Sequence, residues 1–377
     1  MLIHNTDCRY YKGEKPCAYK RMCDGCPEYL PMGKRILFIK FGAIGDALRT
    51  TPLLRALDKL WPKPYITWVT DAASYPLLQN IPQIHRLWAY DHTVIMRVQL
   101  ERWDAVLNFD KATPALCLAE LAHAPWKAGF RLSSEGNLTI FNDAAEYALQ
   151  LGLSDPLKFR ENTKSYMQIV FEMAGLRHEG EEYCFALTDK ERAWARARFA
   201  AWGITDGDTV VGLNTGAGPV FATKKWTEEG YLGLAQRLHQ QHPEVKILLL
   251  GGPAEHERNV RLAAALGAAA INTGADNPIR LFAAIVNRCD LLVTGDTMAL
   301  HLAIALRRRA VVYFGSTCHQ EIDLYGRGET LLTDTAQFPC APCYLKECKL
   351  AFSCMQALTV DKVYAAVERQ LAELGRG

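Results

Sequence analysis

Three carboxylates and one lysine each follow a glycine turn at separate points along the chain. They are Asp46, Lys224, Glu255 and Asp296. Glycine turns let backbone N–H groups face a ligand, and the start of a helix favours a negative charge there. A lysine adds a point positive charge, and a carboxylate binds or deprotonates hydroxyl groups. These residue types therefore predict a site for a ligand that carries both phosphate and hydroxyl groups.

The first motif, Gly42-x-x-Gly45-Asp46, follows an apolar run of strand length and opens a helical stretch. It lacks the third glycine of a dinucleotide fingerprint, and Asp46 puts a carboxylate where a pyrophosphate would lie. One interpretation makes Asp46 the N-cap of the helix. The other makes it a general base that takes a proton from an acceptor hydroxyl at the mouth of a cleft.

The second motif combines Lys224 with the glycine turn that contains Gly216 and Gly218. Such a turn offers a nest of backbone amides, and the lysine supplies a charge for a phosphate. The alternative is a solvated surface lysine. Glu255 starts the helix after another glycine turn, where a carboxylate accepts two ribose hydroxyls. The alternative for Glu255 is a first-turn residue that favours the helix dipole.

The third motif, Asp296-Thr297-x-x-x-His301, follows a predicted strand and opens a predicted helix. The first amides of that helix, at Met298 and Ala299, point outside the carboxyl end of the strand, where ligands bind in open α/β sheets. The alternatives are that Asp296 or Thr297 is an N-cap and that His301 is a half-buried structural histidine.

Eight of the twelve cysteines form two quartets near the ends of the chain. The quartets are Cys8, Cys17, Cys23 and Cys26, and Cys340, Cys343, Cys348 and Cys354. Each contains one C-x2-C pair, a spacing that lets two thiolates approach one metal ion. The pattern predicts structural zinc or iron, with an iron–sulfur cluster, chance clustering and reversible disulfides as alternatives. The other four cysteines, Cys117, Cys184, Cys289 and Cys318, are predicted core residues.

Two successive series of strands, glycine turns and helices follow the first quartet, which predicts an α/β fold of two domains with a cleft between them. The expected units are a cysteine-rich metal-binding arm (1–33), a first domain (34–188), a second domain (189–358) that includes a cysteine finger (340–354), and a terminal helix (359–377).

Composition excludes some classes of function. The chain has 377 residues and a formal net charge of +2, so general electrostatic binding of nucleic acid is not expected. It has no apolar run near the roughly 20 residues of a membrane span, and its polar amino terminus predicts a cytoplasmic protein without a secretory signal. The basic stretch Pro31–Lys63 and the cluster Arg307–Arg309 are interpreted either as a contact with a membrane or anionic glycolipid or as solvated faces.

Four motifs in order resemble the ADP-heptose:lipopolysaccharide heptosyltransferases, glycosyltransferase family nine. They are FGAIGDALRTTPLL, NTGAG with KKWT, LGGPAE, and TGDTMALHLA. The resemblance covers about Lys34 to Leu374. It implies a GT-B fold, in which two Rossmann-like domains, an acceptor domain (34–188) and a donor domain (189–358), face each other across a cleft and the last helix packs back on the first domain. It also implies a metal-independent, inverting transfer of heptose from ADP-heptose.

The resemblance also implies a role for each motif residue. Asp46 would be the catalytic base on an acceptor-side loop with Gly42 and Gly45, and Lys224 would lie near the donor diphosphate. The implied donor contacts are Glu255 to the ribose, Asp296 to the heptose, and Gly216, Gly218, Thr297, Met298, Ala299 and His301 around the donor. Met298 replaces the small residue that the family often has there, which leaves less room beside the phosphates.

The cysteines bear on two hypotheses about the acceptor, a glycolipid core or a protein serine. The amino-terminal arm is absent from typical lipopolysaccharide enzymes, whose acceptor is a glycolipid core. The second quartet is similar to the iron-binding finger of autotransporter heptosyltransferases, whose acceptor is a protein serine. Other hypotheses are a different nucleotide sugar and, in another class, a non-catalytic metal or redox protein. Metal fingers are common subunit contacts, so a homo-oligomer is a further expectation.

Overall fold

Short buried apolar runs alternate with helices along the chain and form two separate six-stranded sheets. The computed structural model describes residues 3–218 and 222–375. Clusters of buried apolar side chains cover both faces of each sheet, so each sheet is the centre of one lobe. The prediction of two successive α/β domains is therefore confirmed.

The first lobe follows the cysteine arm. Its strands are β1 (Arg35–Ile39), β2 (Tyr65–Thr70), β3 (Ile84–Ala89), β4 (Ala105–Asn108), β5 (Trp126–Leu132) and β6 (Leu138–Ile140). Its helices are α1 (Ile44–Arg49), α2 (Leu53–Leu60), α3 (Tyr75–Leu78), α4 (His92–Leu100), α5 (Thr113–Leu121), α6 (Glu146–Leu153) and α7 (Tyr166–Met173). The strand order is β3-β2-β1-β4-β5-β6, and β5 and β6 are an antiparallel pair in this otherwise parallel sheet.

The second lobe has an entirely parallel sheet in the order β12-β11-β10-β7-β8-β9. Its strands are β7 (Val210–Asn214), β8 (Lys246–Leu250), β9 (Ile271–Asn272), β10 (Leu291–Gly295), β11 (Arg309–Phe314) and β12 (Gly328–Leu332). Its helices are α8 (Asp189–Ala201), α9 (Glu228–Gln241), α10 (His256–Leu266), α11 (Ile279–Val286), α12 (Met298–Ala305) and α13 (Val360–Leu374).

All the predicted site motifs follow the carboxyl ends of buried strands. The loop that carries Gly42 and Asp46 follows β1, and Thr215 follows β7 directly. The glycine turn before Glu255 follows β8, and Asp296 follows β10. Because parallel strands end at one edge of a sheet, these loops lie on the binding edges of the two lobes.

One predicted helix is broken in two. The sequence predicts a single helical stretch from Asp46 to about Leu60, whereas α1 ends at Arg49 and α2 begins at Leu53. Pro52 lies in the break, and a proline has no N–H to donate and clashes with the preceding helical turn.

The two lobes pack directly against each other. Leu48 of α1 and Leu77 of α3 belong to the same buried cluster as the apolar faces of α11 and α12. Arg280 of α11 donates from Nη1 to the backbone oxygen of Pro76 at 2.8 Å and also pairs with Glu191 of α8 at 2.5 Å. These contacts connect the second lobe, including its first helix, to α3 of the first lobe.

The terminal helix does not pack back on the first domain, and this expectation is corrected. α13 packs against α9, β10, β11 and β12 of the second lobe. Its stripe Val363, Tyr364 and Val367 joins the buried cluster of that lobe. Trp226 Nε1 also donates to the backbone oxygen of Leu358 at 2.8 Å, just before the helix. The apolar stripe of α13 is therefore covered by its own lobe.

Candidate active site between the lobes

Asp46 lies in the first turn of α1, where its lobe meets the other. The N-cap of this helix is Ala43, so the interpretation of Asp46 as the cap is wrong. The Asp46 carboxylate pairs through Oδ1 with Arg49 Nε at 2.9 Å, and one third of its side chain remains exposed (33%). Asp46 therefore keeps a surface on which it can meet a hydroxyl group.

The charges around Asp46 keep it ionised. Burial alone raises the pKa of Asp46, but the neighbouring Arg49 and Lys40 outweigh it and hold the pKa below its usual range. Lys40 is itself buried and pairs with Asp110 at 2.8 Å. The same Asp110 accepts from the backbone N–H of Phe41 at 3.0 Å, which fixes the loop before Asp46.

His301 of α12 approaches the loop of Asp46 from the other lobe. A Cβ atom on Gly45 would lie 2.5 Å from His301 Cδ2, so only glycine permits this approach. Burial and the neighbouring Arg49 lower the pKa of His301 to about 4. His301 is thus a neutral, buried side chain at physiological pH, stacked on Tyr183 with the ring centroids 6.2 Å apart.

Asp296 and Lys224 meet on the second lobe beside His301. Lys224 Nζ lies 3.0 Å from Asp296 Oδ2 and 3.1 Å from the Asp296 backbone oxygen. His301 Nε2 lies 4.0 Å from Asp296 Oδ1. Burial raises the pKa of Asp296, and the ion pair with Lys224 more than offsets this and lowers it overall. Lys224 and Asp296, together with Asp46 from the other lobe, thus lie around His301.

Glu255 is buried against the first glycine turn of the second lobe. A Cβ atom on Gly216 would lie 2.7 Å from Glu255 Cδ, which explains the glycine at this position. Glu255 Oε2 accepts from the backbone N–H of Gly252 at 3.1 Å, and Lys225 Nζ lies 3.3 Å from Oε1. Gly218 has a left-handed backbone (φ 66°), as a turn of this kind requires.

The start of α12 is tied to the same turn. Asn214 Nδ2 donates to the Gly216 backbone oxygen at 3.2 Å and to Thr297 Oγ1 at 3.1 Å. Thr297 is the N-cap residue, but its side chain makes no capping hydrogen bond, and Met298 and Ala299 form the first turn. The first amides of a helix have no partner within it, so this turn can bind an anion.

Several residues of the site were missed by the sequence-based prediction: Lys40, Arg49, Asp110, Asn214, Lys225 and Glu321. Arg49 stands three residues after Asp46, a spacing that places both on one helix face and is readable from the sequence. The prediction instead places it in a basic surface stretch. Glu321 has no sequence signal, because it reaches Arg49 across 272 residues of chain.

The basic stretch Pro31–Lys63 is largely paired. Five of its side chains form ion pairs with acidic residues: Lys34, Arg35, Lys40, Arg49 and Lys59. In the second cluster, Arg307 and Arg309 pair with Glu182 and Glu373. The local charge excess therefore does not form an unpaired patch. Within residues 3–218 and 222–375, no helix has the length and apolar character to cross a membrane.

Each cysteine quartet lines a single cavity. Cys8, Cys17, Cys23 and Cys26 line one of about 230 Å³ within the arm. All four cysteines of the second quartet line a cavity of about 150 Å³, together with Lys225 and Ser316. Among the described residues, however, no three His, Cys, Asp or Glu side chains converge closely enough to hold a metal ion. Of the predicted core cysteines, Cys184, Cys289 and Cys318 are buried, whereas Cys117 is only half-buried.

The amino-acid sequence matches the model of glycosyltransferase family 9 (heptosyltransferase) over residues 92–352. This match covers more than half of the chain. The protein belongs to glycosyltransferase family 9. The matched segment contains Lys224, Glu255, Asp296 and His301, whereas Asp46 precedes it. The role of Asp46 therefore depends on the geometry above rather than on this match.

Curated heptosyltransferases match this chain over parts of their length. The chain is 35% identical to lipopolysaccharide heptosyltransferase 1 of Pseudomonas aeruginosa over 131 residues, which are 35% of this chain and 36% of that protein. It is 25% identical to lipooligosaccharide heptosyltransferase 2 of Campylobacter jejuni over 179 residues, 44% of this chain and 52% of that protein. The matches thus span about half or less of the relatives' lengths.

Solved structures of glycosyltransferases share the fold. A family 9 glycosyl transferase from Veillonella parvula aligns with a TM-score of 0.69 at 21% identity, covering 90% of this chain and 97% of that one. Escherichia coli heptosyltransferase WaaC with ADP-2-deoxy-2-fluoro heptose aligns at 0.55 and 18% identity, covering 89% and 99%. The iron-containing dodecameric glycosyltransferase TibC, from enterotoxigenic E. coli, aligns at 0.55 and 12% identity, covering 91% and 77%. The predicted fold class is confirmed.

Proposed function

We propose that this protein is an inverting glycosyltransferase that moves heptose from ADP-heptose to a hydroxyl group of a glycan acceptor. The main support is the arrangement of Asp46 on one lobe opposite Lys224 and Asp296 on the other, around His301. Family membership supports heptose as the sugar, and the WaaC complex supports an ADP-linked donor.

The acceptor side depends on Asp46. In the proposed reaction the acceptor oxygen attacks the anomeric carbon of the donor, and Asp46 removes the hydroxyl proton as the new bond forms. The low pKa of Asp46 makes it a weak base. This is sufficient when the leaving group has largely departed before the proton is removed, because the hydroxyl becomes more acidic as it binds the electron-deficient carbon.

The donor side depends on electrostatic stabilisation of the departing ADP. Lys224 would neutralise the diphosphate, and the amides at the start of α12, at Met298 and Ala299, would bind its oxygens. Glu255 is proposed to hold the ribose hydroxyls and Asp296 the hydroxyls of the heptose. Positive charge and helix amides lie on the second lobe, and the base lies on the first, which is the separation that a direct displacement requires. No metal ion is needed in this scheme.

The identity of the bound nucleotide distinguishes ADP-heptose from other nucleotide sugars as the donor. We expect ADP to raise the melting temperature of the purified protein more than UDP or GDP at equal concentration. The Lys224→Ala variant should show a smaller response, because one positive charge beside the diphosphate is removed, whereas Lys190→Ala, a change in the exposed first turn of α8, should keep the full response. A larger response to UDP would exclude ADP-heptose as the donor. No response to any nucleotide, in a coloured and redox-active preparation, would instead favour the non-catalytic metal or redox hypothesis.

The acceptor is proposed to be a lipopolysaccharide core or related glycan, as the names of the curated relatives suggest. With such an acceptor the enzyme would work in the cytoplasm, at the inner face of the membrane. A protein acceptor is the second candidate, favoured by the resemblance of the cysteine finger to the iron-binding finger of the autotransporter heptosyltransferases. TibC, which shares the fold, also contains iron. Radiolabelled transfer to deep-core glycolipid and to unglycosylated autotransporter protein, measured side by side, would distinguish the two.

We also propose that each cysteine quartet holds a structural zinc or iron ion. Four thiols around one cavity are the donor set that these metals prefer. Binding would draw the side chains together, since they do not converge in the structure. Elemental analysis should find about two metal ions per chain, with one lost in Cys23→Ser and the other in Cys343→Ser. Cys289→Ser, in the core, should retain both. Absence of metal from freshly purified protein would contradict this proposal.

A further inference from the structure

Arg49 connects the proposed base to the opposite lobe. Its Nε lies 2.9 Å from Asp46 Oδ1, and its Nη1 lies 3.2 Å from Glu321 Oε2. The Arg49 side chain is only 12% exposed, and its guanidinium lies 3.7 Å above the ring of Tyr166. Asp46, Arg49 and Glu321, here named the Arg49 bridge, are therefore held in one defined arrangement.

The two carboxylates of the Arg49 bridge come from different lobes. Asp46 and Arg49 are both in α1, whereas Glu321 ends a short 3-10 turn (His319–Glu321) between β11 and β12. The bridge can form completely only when the lobes are docked. In the docked state the negative charge of Glu321 offsets part of the positive charge of Arg49. The net electrostatic stabilisation of ionised Asp46 is therefore smaller than in an exclusive pair of Asp46 with Arg49.

We infer that Glu321 is a positioning residue that strengthens Asp46 as a base when the lobes dock, by drawing part of the charge of Arg49 away from it. The inference rests on the proposed function, because it assumes that Asp46 takes the acceptor proton. It adds a reason why the strength of the base depends on lobe docking. Asp46 becomes a stronger base only in the closed arrangement, in which the donor lobe is in place.

The other charges that face Asp46 do not duplicate this effect. Lys40 belongs to the first lobe and is already paired with Asp110. His301 belongs to the second lobe and also lowers the pKa of Asp46, but its own pKa of about 4 leaves it neutral at neutral pH, and it is the same in wild type and Glu321→Gln. Neither residue therefore changes the charge at Asp46 when Glu321 is altered.

The groups around the other two members of the bridge are also accounted for. Arg49 faces the phenols of Tyr166 and Tyr183, and it is within electrostatic reach of Asp296, which pairs with Lys224 instead. The groups near Glu321 are Lys111, Cys318 and Tyr344. Glu321 is thus the carboxylate of the second lobe that pairs with Arg49 directly.

Glu321→Gln tests the inference because it keeps the shape of the side chain and removes the charge. Arg49 then pairs with Asp46 alone, so the pKa of Asp46 falls and the acid limb of kcat/KM moves to lower pH by roughly one pH unit. The plateau falls by about threefold, since a weaker base removes the proton less readily. Glu321→Asp keeps the charge and should restore the wild-type acid limb.

A matched control and a second readout keep the outcomes separate. Glu329→Gln removes a carboxylate paired with Arg369 within the second lobe and should leave the profile unchanged. The ¹³Cγ resonance of Asp46, titrated without substrate, should also show a lower pKa in Glu321→Gln. If the acid limb and the Asp46 titration both coincide with wild type in Glu321→Gln, the inference is wrong. If wild-type protein transfers no heptose, the proposed function fails, and the titration still decides whether the Arg49 bridge acts on Asp46.

Discussion

Asp46 and Lys224 are single side chains on opposite lobes, both close to His301, and the proposed transfer divides its chemistry between them. Asp46→Asn should lower kcat by roughly 10²–10⁴-fold, the usual contribution of a general base, without changing the melting temperature appreciably. The measurement is steady-state transfer from ADP-heptose, with circular dichroism as the control for folding. Near-wild-type turnover in this variant would contradict the role of Asp46.

Lys224→Ala should lower kcat by about 10²–10³-fold, because one positioned group that stabilises the departing ADP is removed. Lys225→Ala, the adjacent lysine paired with Glu255, should chiefly raise KM for the donor, since it lies beside the proposed ribose site. Equal effects of the two substitutions on kcat would contradict the separate roles assigned to them.

The pH dependence follows from the direction of the Asp46 pKa. The group acts as a base in its ionised form, and its pKa lies below the ordinary value of about 3.9. Ionised Asp46 therefore predominates across the neutral range, and kcat/KM should stay flat as the pH falls from 8 to about 5. An acid limb centred near pH 6 or 7 would identify a different base.

Gly45 provides a test of lobe docking at one residue. Gly45→Ala would place a methyl group 2.5 Å from His301 Cδ2, so the lobes should fail to close and transfer should be nearly lost. Gly207→Ala is the control, because a Cβ atom there meets nothing within 4 Å. Crystallography or small-angle scattering with ADP would show whether the cleft of Gly45→Ala stays open. Normal activity would mean that His301 and this loop do not approach during turnover.

Among the helices and strands, the central strands were predictable from the sequence and the edges of the sheets were not. The sequence predicts a strand at Tyr65–Thr70 and a final helix over roughly Val360–Leu374. β2 and α13 have these bounds, since β2 is a continuous buried run and α13 has a regular apolar stripe. β3 and β12 were not predicted. Both strands are only partly buried and mix charged with apolar residues, so neither shows the regular pattern of apolar residues that identifies a strand in a sequence. Their partners in the sheet, rather than local pattern, make them strands.

α13 was correctly placed in the sequence and wrongly placed in space. Its helical period shows which face is apolar but not which lobe covers that face. Val363→Ala should lower the free energy of unfolding by about 2 kcal/mol, because a fully buried side chain of the second lobe is shortened. Denaturant unfolding followed by fluorescence measures this change.

Val260→Ala is the matched control for Val363→Ala, because it makes the same change in a helix of the same lobe. The Val260 side chain in α10 is 47% exposed, so its shortening leaves no cavity and should change the free energy of unfolding by less than about 0.5 kcal/mol. Equal losses in the two variants would show that Val363 is not covered by the second lobe.

In the molecule as a whole, the site exists only because two lobes meet. The motifs and their order along the chain predicted that Asp46 lies on one lobe and Lys224, Glu255 and Asp296 on the other. That these residues act on a substrate stays a prediction. The motifs did not predict Glu321 or the pairing of the basic stretch, because ion pairs between distant segments leave no trace in spacing. Arg49 illustrates the difference: its helix face was readable from the sequence, but its second partner required the fold.

The proposed function requires a sugar diphosphate between the lobes, with its phosphates on the second lobe and its anomeric carbon toward Asp46. A crystal structure of the protein with ADP-2-deoxy-2-fluoro heptose decides whether this is so. We predict diphosphate oxygens within hydrogen-bond distance of Lys224 Nζ and of the first amides of α12, and an Asp46 carboxylate that faces the anomeric carbon with room for an acceptor oxygen between them. A nucleotide bound elsewhere, or an Asp46 side chain turned away from the cleft, would contradict the proposed function.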